Sequence, residues 1–83
     1  MSQEIWRVPR VLSYTGKSRS SFYSDISQGL WTRPVKLSQR SVGWPAREVE
    51  VLMGALISGL DEDSIKQLVE HLERFRTQNG ARV

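Results

Sequence analysis

The segment TGKSRSSFYSDI, residues 15–26, predicts a tight turn that leads directly into a short helix. Gly16 can adopt the left-handed backbone conformation that ends a preceding helix. Ser18 suits the N-cap of the next helix, because its hydroxyl can accept a hydrogen bond from a free amide of the first turn. Phe22 and Ile26 are four residues apart and therefore share one face of that helix. The remaining faces carry polar side chains at or near solvent: Arg19, Ser20, Tyr23 and Ser24.

These two faces suggest how the second helix is used. The apolar stripe of Phe22 and Ile26 would dock on the body of the protein, which leaves the basic, hydroxyl-rich face for a partner. A helix in a DNA groove needs such a face, because its side chains meet phosphates and base edges.

A first helix is predicted before the turn. Its apolar residues are spaced approximately like one helical face: Ile5, Val8, Val11 and Leu12. Pro9 fits the first turn, where a missing amide costs nothing, so the helix should run over about residues 8–14, with Trp6 before it as a packing anchor. The second helix should end at about Gln28, before Gly29. Two short helices joined by such a turn form a helix-turn-helix.

After the second helix the pattern changes from helical to extended. Pro34 excludes a helix and pushes Arg33 to an extended conformation. The alternation of apolar and polar residues over residues 35–37 predicts a short strand. Residues 41–44 can pair back as a second strand around a polar tip, residues 38–40. This hairpin, called the wing below, needs packing against helices to persist, and its expected packing groups are Trp31, Val42 and Trp44.

A third helix should follow the wing. Pro45 suits its first position, and Glu48 suits its positive N-terminal end. Ser58-Gly59 should end it. Its apolar stripe at helical spacing is Val49, Leu52, Met53, Leu56 and Ile57.

The last helix should begin near residue 61. Asp61 or Asp63 would cap it, since a carboxylate suits a helix N-terminus. Asn79-Gly80 should stop it, and a frayed tail should follow. Its apolar stripe has a 3.6-residue period and comprises Ile65, Leu68, Val69, Leu72 and Phe75.

Length and composition narrow the class of protein. A chain of 83 residues without cysteine forms one small, marginally stable domain that lacks disulfides. No apolar run approaches the roughly 20 residues of a membrane span, and residues 1–4 lack the basic start and apolar core of a signal peptide. We therefore expect a soluble, cytoplasmic protein with no membrane partner.

Charge is unevenly distributed along the chain. Residues 1–47 contain eight basic and two acidic residues, a net charge of +6, whereas residues 48–83 contain four basic and seven acidic residues, a net charge of −3. This asymmetry suggests that the front half meets a polyanion. The alternative is a solvated surface whose charges segregate without a function. In the first case Glu48, Glu50 and the later acids should face away from DNA.

The residue types that catalysis needs are scarce. His71 is the only histidine and has no second ligand nearby in sequence. Residues 61–63 could bind a cation, but helix capping explains this acidic cluster more simply. No glycine-rich phosphate loop, nucleophile elbow or zinc motif occurs. We therefore predict no enzyme activity, no catalytic residue, no metal site, no cofactor and no small-molecule substrate.

The chain resembles the AlpA family of prophage regulators, which are distant relatives of MerR-type domains and small phage excisionases. The resemblance runs from about Trp6 to Leu52. It is carried by VPRVLSYTGKSRSSFY (residues 8–23), PVKL (34–37), VGW (42–44) and EVE (48–50). The family's G-x-S-R-S-T-x-Y run is matched except at its threonine, where Ser21 keeps the hydroxyl. Where the family usually has a tryptophan shortly after Glu-Val-Glu, this chain has Val51-Leu52.

The resemblance implies a fold and a partner. The fold is mainly α with a small β-hairpin: a MerR- or excisionase-like winged helix-turn-helix over residues 1–58. Residues 59–83 add a C-terminal helix that packs on this domain or serves self-association. The partner is double-stranded DNA. We predict that DNA is contacted by Lys17, Ser18, Arg19, Ser20, Ser21, Tyr23, Ser24, Lys36, Gln39 and Arg40.

These residues differ in their expected roles. Arg19 and Ser20 lie at the N-terminal end of the second helix, the end that usually reaches base edges in this motif. Lys36, Gln39 and Arg40 would contact the backbone or the minor groove, unless they only keep a turn soluble. Tyr23 could pack at the helix edge or donate to a phosphate. The tryptophans could stack on bases, but core packing is favoured because each flanks a structural element: Trp6, Trp31 and Trp44.

Three functions are compatible with this pattern. The first is a sequence-specific regulator of transcription, and the second is an excisionase, or recombination directionality factor, that bends attachment-site DNA. The third is a protein-interaction adaptor, in which the last helix seats a partner or a second copy through Ile65, Leu68, Leu72 and Phe75. We favour packing of this helix in the core, because so short a chain needs the buried area.

Overall fold

The computed structural model describes residues 4–80. In this range four helices and three short strands follow one another as β1 (Ile5–Trp6), α1 (Val8–Thr15), α2 (Arg19–Ser27), β2 (Val35–Lys36), β3 (Val42–Pro45), α3 (Ala46–Ile57) and α4 (Glu62–Gly80). The mainly helical class is confirmed. The predicted frayed tail after Gly80 lies outside the described residues, and none of the helices within them is long and apolar enough to cross a membrane.

The sheet has three antiparallel strands rather than the two of a hairpin. β3 lies in the middle, with Trp6 of β1 opposite Trp44 and Lys36 of β2 opposite Val42. The prediction that Ile5 begins a helical face is wrong, because Ile5 pairs opposite Pro45 in the sheet. The hairpin itself is confirmed, with strands slightly shifted from the predicted ranges.

Gly43 allows β1 to approach β3 closely. A Cβ atom at this position would lie 2.5 Å from Cγ2 of Ile5 and 2.9 Å from the carbonyl oxygen of Trp6. Both distances are shorter than ordinary van der Waals contact, so a larger residue would push β1 away. The glycine in the middle strand is therefore required by the third strand.

The turn between α1 and α2 forms as predicted. Gly16 has a φ angle of 74°, and its amide donates to the carbonyl of Leu12 at 2.8 Å. The hydroxyl of Ser18 accepts a hydrogen bond from the amide of Ser21 at 3.1 Å. These local signals therefore end α1 and begin α2.

Two other helix starts were predicted with mixed success. Asp61 caps α4, because its Oδ1 accepts from the amide of Ser64 at 2.9 Å. This hydrogen bond stabilises the carboxylate and lowers the pKa of Asp61. The assignment of Pro45 to the first position of α3 is wrong, because Pro45 is the last residue of β3 and Ala46 begins the helix.

All three tryptophans pack in the core, as predicted. Trp6, Trp31 and Trp44 are buried. Phe22 of α2 meets the rings of Trp31 and Trp44 edge to face, with centroids 5.5 and 5.1 Å apart. The indole N–H of Trp44 donates to the carbonyl of Thr32 at 2.9 Å. Phe22, with Ile26 partly buried beside the same core, thus packs α2 against the body of the protein.

The predicted apolar stripe of α3 is only partly buried. Val49 and Leu52 are buried, and Ala55 joins them. Leu56 is 41% exposed in the last turn, and Ile57 is 79% exposed. Ile57 follows Glu50 by seven residues, so it shares the outer face of the helix with that carboxylate. Leu56 and Ile57 belong to the predicted apolar stripe by spacing, but they lie outside the core.

α4 contributes to the same core. Ile65, Val69 and Leu72 are buried with the side chains of α3 and the sheet, and Leu68 is partly buried against them. Phe75 departs from the predicted stripe, because it is 41% exposed. The guanidinium of Arg47 lies 5.1 Å from the centroid of its ring.

Two ion pairs fasten the second half of α4. Arg76 makes a bidentate pair with Glu48 of α3, with both N–O distances 2.6 Å. Glu73 accepts from the backbone amide of Arg33 at 2.7 Å and from its guanidinium at 3.1 Å. Glu48 was predicted to suit the N-terminus of α3 and to face away from DNA, but its pairing with Arg76 was not predicted; the residue is only 5% exposed.

Candidate nucleic-acid interface

One face of α2 is polar and open to solvent. Arg19, Ser20, Ser21 and Ser24 are exposed, whereas Phe22 on the opposite face is fully buried. Burial of Phe22 fixes the rotation of the helix, because its side chain fits between two tryptophan rings. The predicted division of α2 into a docked face and an open face is confirmed.

The hydroxyls of this face differ in how far they are engaged. The hydroxyl of Ser18 accepts from the amide of Ser21 in the cap of α2, and its own proton stays available to donate. The hydroxyl of Ser24 accepts from the side-chain amide of Gln28 at 2.9 Å but keeps its own proton to donate. Ser20 and Ser21 make no side-chain hydrogen bond within residues 4–76, the part whose side chains are described. They can therefore turn freely toward an acceptor.

Tyr23 lies at the edge of the open face. Its ring meets Phe22 edge to face, with centroids 5.8 Å apart, and 38% of the residue is exposed. Packing at the helix edge is therefore observed, and the exposed part leaves room for a contact with a partner.

Lys17 is less available than the sequence suggests. It is half-buried in the turn, and its ammonium pairs with the carboxylate of Asp25 in α2. This pair links the turn to the last turn of α2. Since the opposite charge is so close, Lys17 adds little net positive charge to the surface.

The tip of the β2–β3 hairpin carries a second exposed polar group. Lys36, Gln39 and Arg40 are all exposed. The amide of Leu37 donates to the carbonyl of Ser41 at 2.7 Å, which closes the hairpin just inside its tip. The hairpin therefore presents two cations, Lys36 at the end of β2 and Arg40 in the closed loop.

Ion pairing divides the cations of the front half into two groups. Arg10 is neutralised by Glu4 at 2.8 Å, and its guanidinium lies 3.9 Å from the centroid of the Trp6 indole. The hydrogen bond from Arg10 lowers the pKa of Glu4. In contrast, no carboxylate within residues 4–76 pairs with Arg19, Lys36 or Arg40. The cations of α2 and of the hairpin are therefore uncompensated within the described side chains.

Arg7 is a further uncompensated cation, which the sequence reasoning missed. It is exposed, and its Nε donates to the carbonyl of Val42 in β3 at 3.1 Å. Arg7 reaches Val42 because β1 pairs with β3, and the local sequence around Arg7 does not indicate that pairing.

A groove of about 510 Å³ lies between the end of α2 and α4. Its lining includes two basic residues, Arg33 and Lys66, and two acidic residues, Glu70 and Glu73. Because both signs of charge are present, the groove has no uniform field to attract a polyanion. Within the described part of the chain, histidines and carboxylates form no group of three that could hold a metal ion.

A family model described as the prophage CP4-57 regulatory protein (AlpA) matches residues 4–53. This range holds β1, α1, α2, the hairpin and most of α3, and it includes all ten residues predicted to contact DNA. α4 lies outside it. No curated protein and no solved structure matches the chain.

Proposed function

Because the chain belongs to the AlpA family of prophage regulatory proteins, we propose that it binds double-stranded DNA in a sequence-specific manner and regulates transcription. The resemblance expected from the sequence is confirmed, and the family is one of regulators rather than of enzymes. The finer mechanism proposed here is that of a winged helix-turn-helix, with α2 as the recognition helix and the β2–β3 hairpin as the wing.

The observation that carries this proposal is that α2 has one buried face and one exposed face. Its inward face is locked by Phe22, while Arg19 and Ser20 project from its first turn with no carboxylate or side-chain hydrogen bond within residues 4–76. The N-terminal end of a recognition helix is the part that enters the major groove. An arginine there can make a bidentate contact with guanine, the commonest base-specific pair.

The wing supports the proposal through its charge. Lys36 and Arg40 lie on a closed hairpin and have no acidic partner in the described region. Such cations fix the register of a protein on DNA by contacting phosphates, without reading sequence. We therefore assign base reading to Arg19 and backbone clamping to Lys36 and Arg40.

Selection of bound sites from random duplex DNA would identify the preferred sequence and test this division of roles. On the selected site, Arg19→Ala should cost about 1–3 kcal/mol of binding free energy and relax the preference at one base pair. Lys36→Ala or Arg40→Ala should weaken all sequences about equally and reduce the slope of log affinity against log salt by about one. Each variant would be measured on the selected and on a scrambled duplex at several salt concentrations.

A matched control is Arg74→Ala, which removes an exposed arginine from α4. It should leave the affinities for the selected and the scrambled duplex unchanged. Loss of sequence preference in Arg40→Ala, with preference retained in Arg19→Ala, would reverse the assignment of reader and clamp. Failure to enrich any duplex sequence would contradict sequence-specific binding. Repeated sites together with DNA bending would favour the excisionase function over regulation at a single operator.

A further inference from the structure

Arg7 stands at the junction of β1 and α1 and reaches across to the hairpin. Its Nε donates to the carbonyl of Val42 at 3.1 Å. Val42 lies directly opposite Lys36 in the register of β2 and β3. The Nε end of the Arg7 guanidinium is therefore fixed to the middle strand, at the same level of the hairpin as Lys36.

Only part of the guanidinium is used by this contact. Arginine has five N–H donors in a planar fork, and the hydrogen bond to Val42 occupies the one on Nε. The other four have no partner within residues 4–76, and the side chain is exposed. Because the tether already restricts the side chain, less rotamer entropy is lost when the free edge binds an anion.

Arg10 shows the opposite arrangement three residues later. Its guanidinium is paired with Glu4 at 2.8 Å and lies over the Trp6 ring. Both arginines are exposed and come from the same short segment, but only Arg7 keeps its positive charge uncompensated. This contrast separates a cation used within the fold from one left for a partner.

We propose that Arg7 binds a backbone phosphate of DNA and extends the contact surface of the wing onto the β1–α1 junction. The inference rests on the proposed function. Phosphate is the anion that fits, because a guanidinium fork matches its oxygens and Lys36, on the other side of β3 at the same level, carries the same charge. A contact of this kind positions the duplex and carries no sequence information.

Equilibrium binding of a labelled duplex by fluorescence anisotropy, between about 50 and 200 mM salt, tests this assignment. The duplexes would be the selected site and its scrambled version. Arg7→Ala should reduce the salt slope by about 0.9, the value for one phosphate contact on duplex DNA, and weaken both duplexes by the same factor. Arg10→Ala is the matched control and should leave the slope unchanged.

Two further variants separate a phosphate contact from loosening of the hairpin. Arg7→Gln keeps an amide that can donate to Val42 but removes the charge. It should reduce the salt slope by the same amount as Arg7→Ala. The double variant Arg7→Ala/Lys36→Ala should lose about twice the slope of either single change. Thermal unfolding of each variant would verify that the fold is retained.

Three results would overturn the inference. One is a salt slope unchanged by Arg7→Gln. Another is a double variant with the same slope as Arg7→Ala alone, because that single change would then have acted by disordering the hairpin. The third is absence of duplex binding by the unaltered protein, which would overturn the proposed function as well; the first two leave that function intact.

Discussion

Trp44→Ala is expected to lower the free energy of unfolding by about 3–5 kcal/mol, the range for deleting a large buried aromatic side chain. Trp44 is fully buried in the middle strand, and its ring meets Phe22 of α2 edge to face. Its loss opens a cavity between helix and sheet and leaves the carbonyl of Thr32 without its hydrogen bond. The free energy of unfolding of a native protein is only about 5–15 kcal/mol in total, so the variant should unfold easily. Urea denaturation followed by circular dichroism measures the change.

Trp44→Phe provides the control for shape. It keeps a ring beside Phe22 but removes the N–H that reaches Thr32. We expect it to cost about 1–3 kcal/mol, the range for leaving one buried polar group unsatisfied, and so less than the alanine variant. If Trp44→Ala unfolded within about 0.5 kcal/mol of the parent, as typical surface changes do, the described core would be wrong.

Ile65→Ala is expected to destabilise the protein by about 2–5 kcal/mol. Ile65 is 3% exposed on α4 and packs in the core with α3 and the sheet. We propose from this packing that α4 folds as part of the same unit as residues 4–57, rather than serving chiefly for self-association. Thermal unfolding and sedimentation would be measured together, because one reports stability and the other the oligomeric state.

The control is the same chemical change on the outer face of α3. Ile57 is 79% exposed, so Ile57→Ala should alter stability by no more than about 0.5 kcal/mol. The interface alternative would be supported if Ile65→Ala left thermal stability intact but abolished self-association. If Ile65→Ala and Ile57→Ala destabilised the protein equally, the described burial of Ile65 and exposure of Ile57 would be wrong.

Local signals explain why the first half of the fold was predictable. Gly16, Ser18 and the Phe22–Ile26 spacing each act within one or two helical turns, so the ends of α1 and α2 and the buried face of α2 follow from neighbouring residues. Asp61 likewise caps α4 through the amide of Ser64 three residues later. No long-range contact is needed for these features.

The parts that were missed depend on residues far apart in the chain. β1 has only two residues, and it is a strand because β3 lies beside it, 40 positions away at the pair of Ile5 and Pro45. The Glu48–Arg76 and Arg33–Glu73 pairs span 28 and 40 positions. A helical or strand period in sequence carries no information about such partners.

The candidate site divides in the same way. Exposure of the Arg19 face follows from the period of α2, and the polar tip of the hairpin follows from its turn residues. Pairing of Lys17 with Asp25 and the tether of Arg7 to Val42 required the folded structure. Uncompensated charge, rather than the presence of a basic residue, therefore defines the surface proposed to meet DNA.

The most direct test of DNA binding by this surface is the salt dependence of duplex binding by the unaltered protein. Arg7, Arg19, Lys36 and Arg40 are the uncompensated cations assigned to it. With about four to six phosphate contacts from the basic front half as a whole, at about 0.9 each, log affinity should fall against log salt with a slope of about −3.6 to −5.4. A slope near zero would contradict the account, because binding would then release no counterions and DNA would not be held by its backbone.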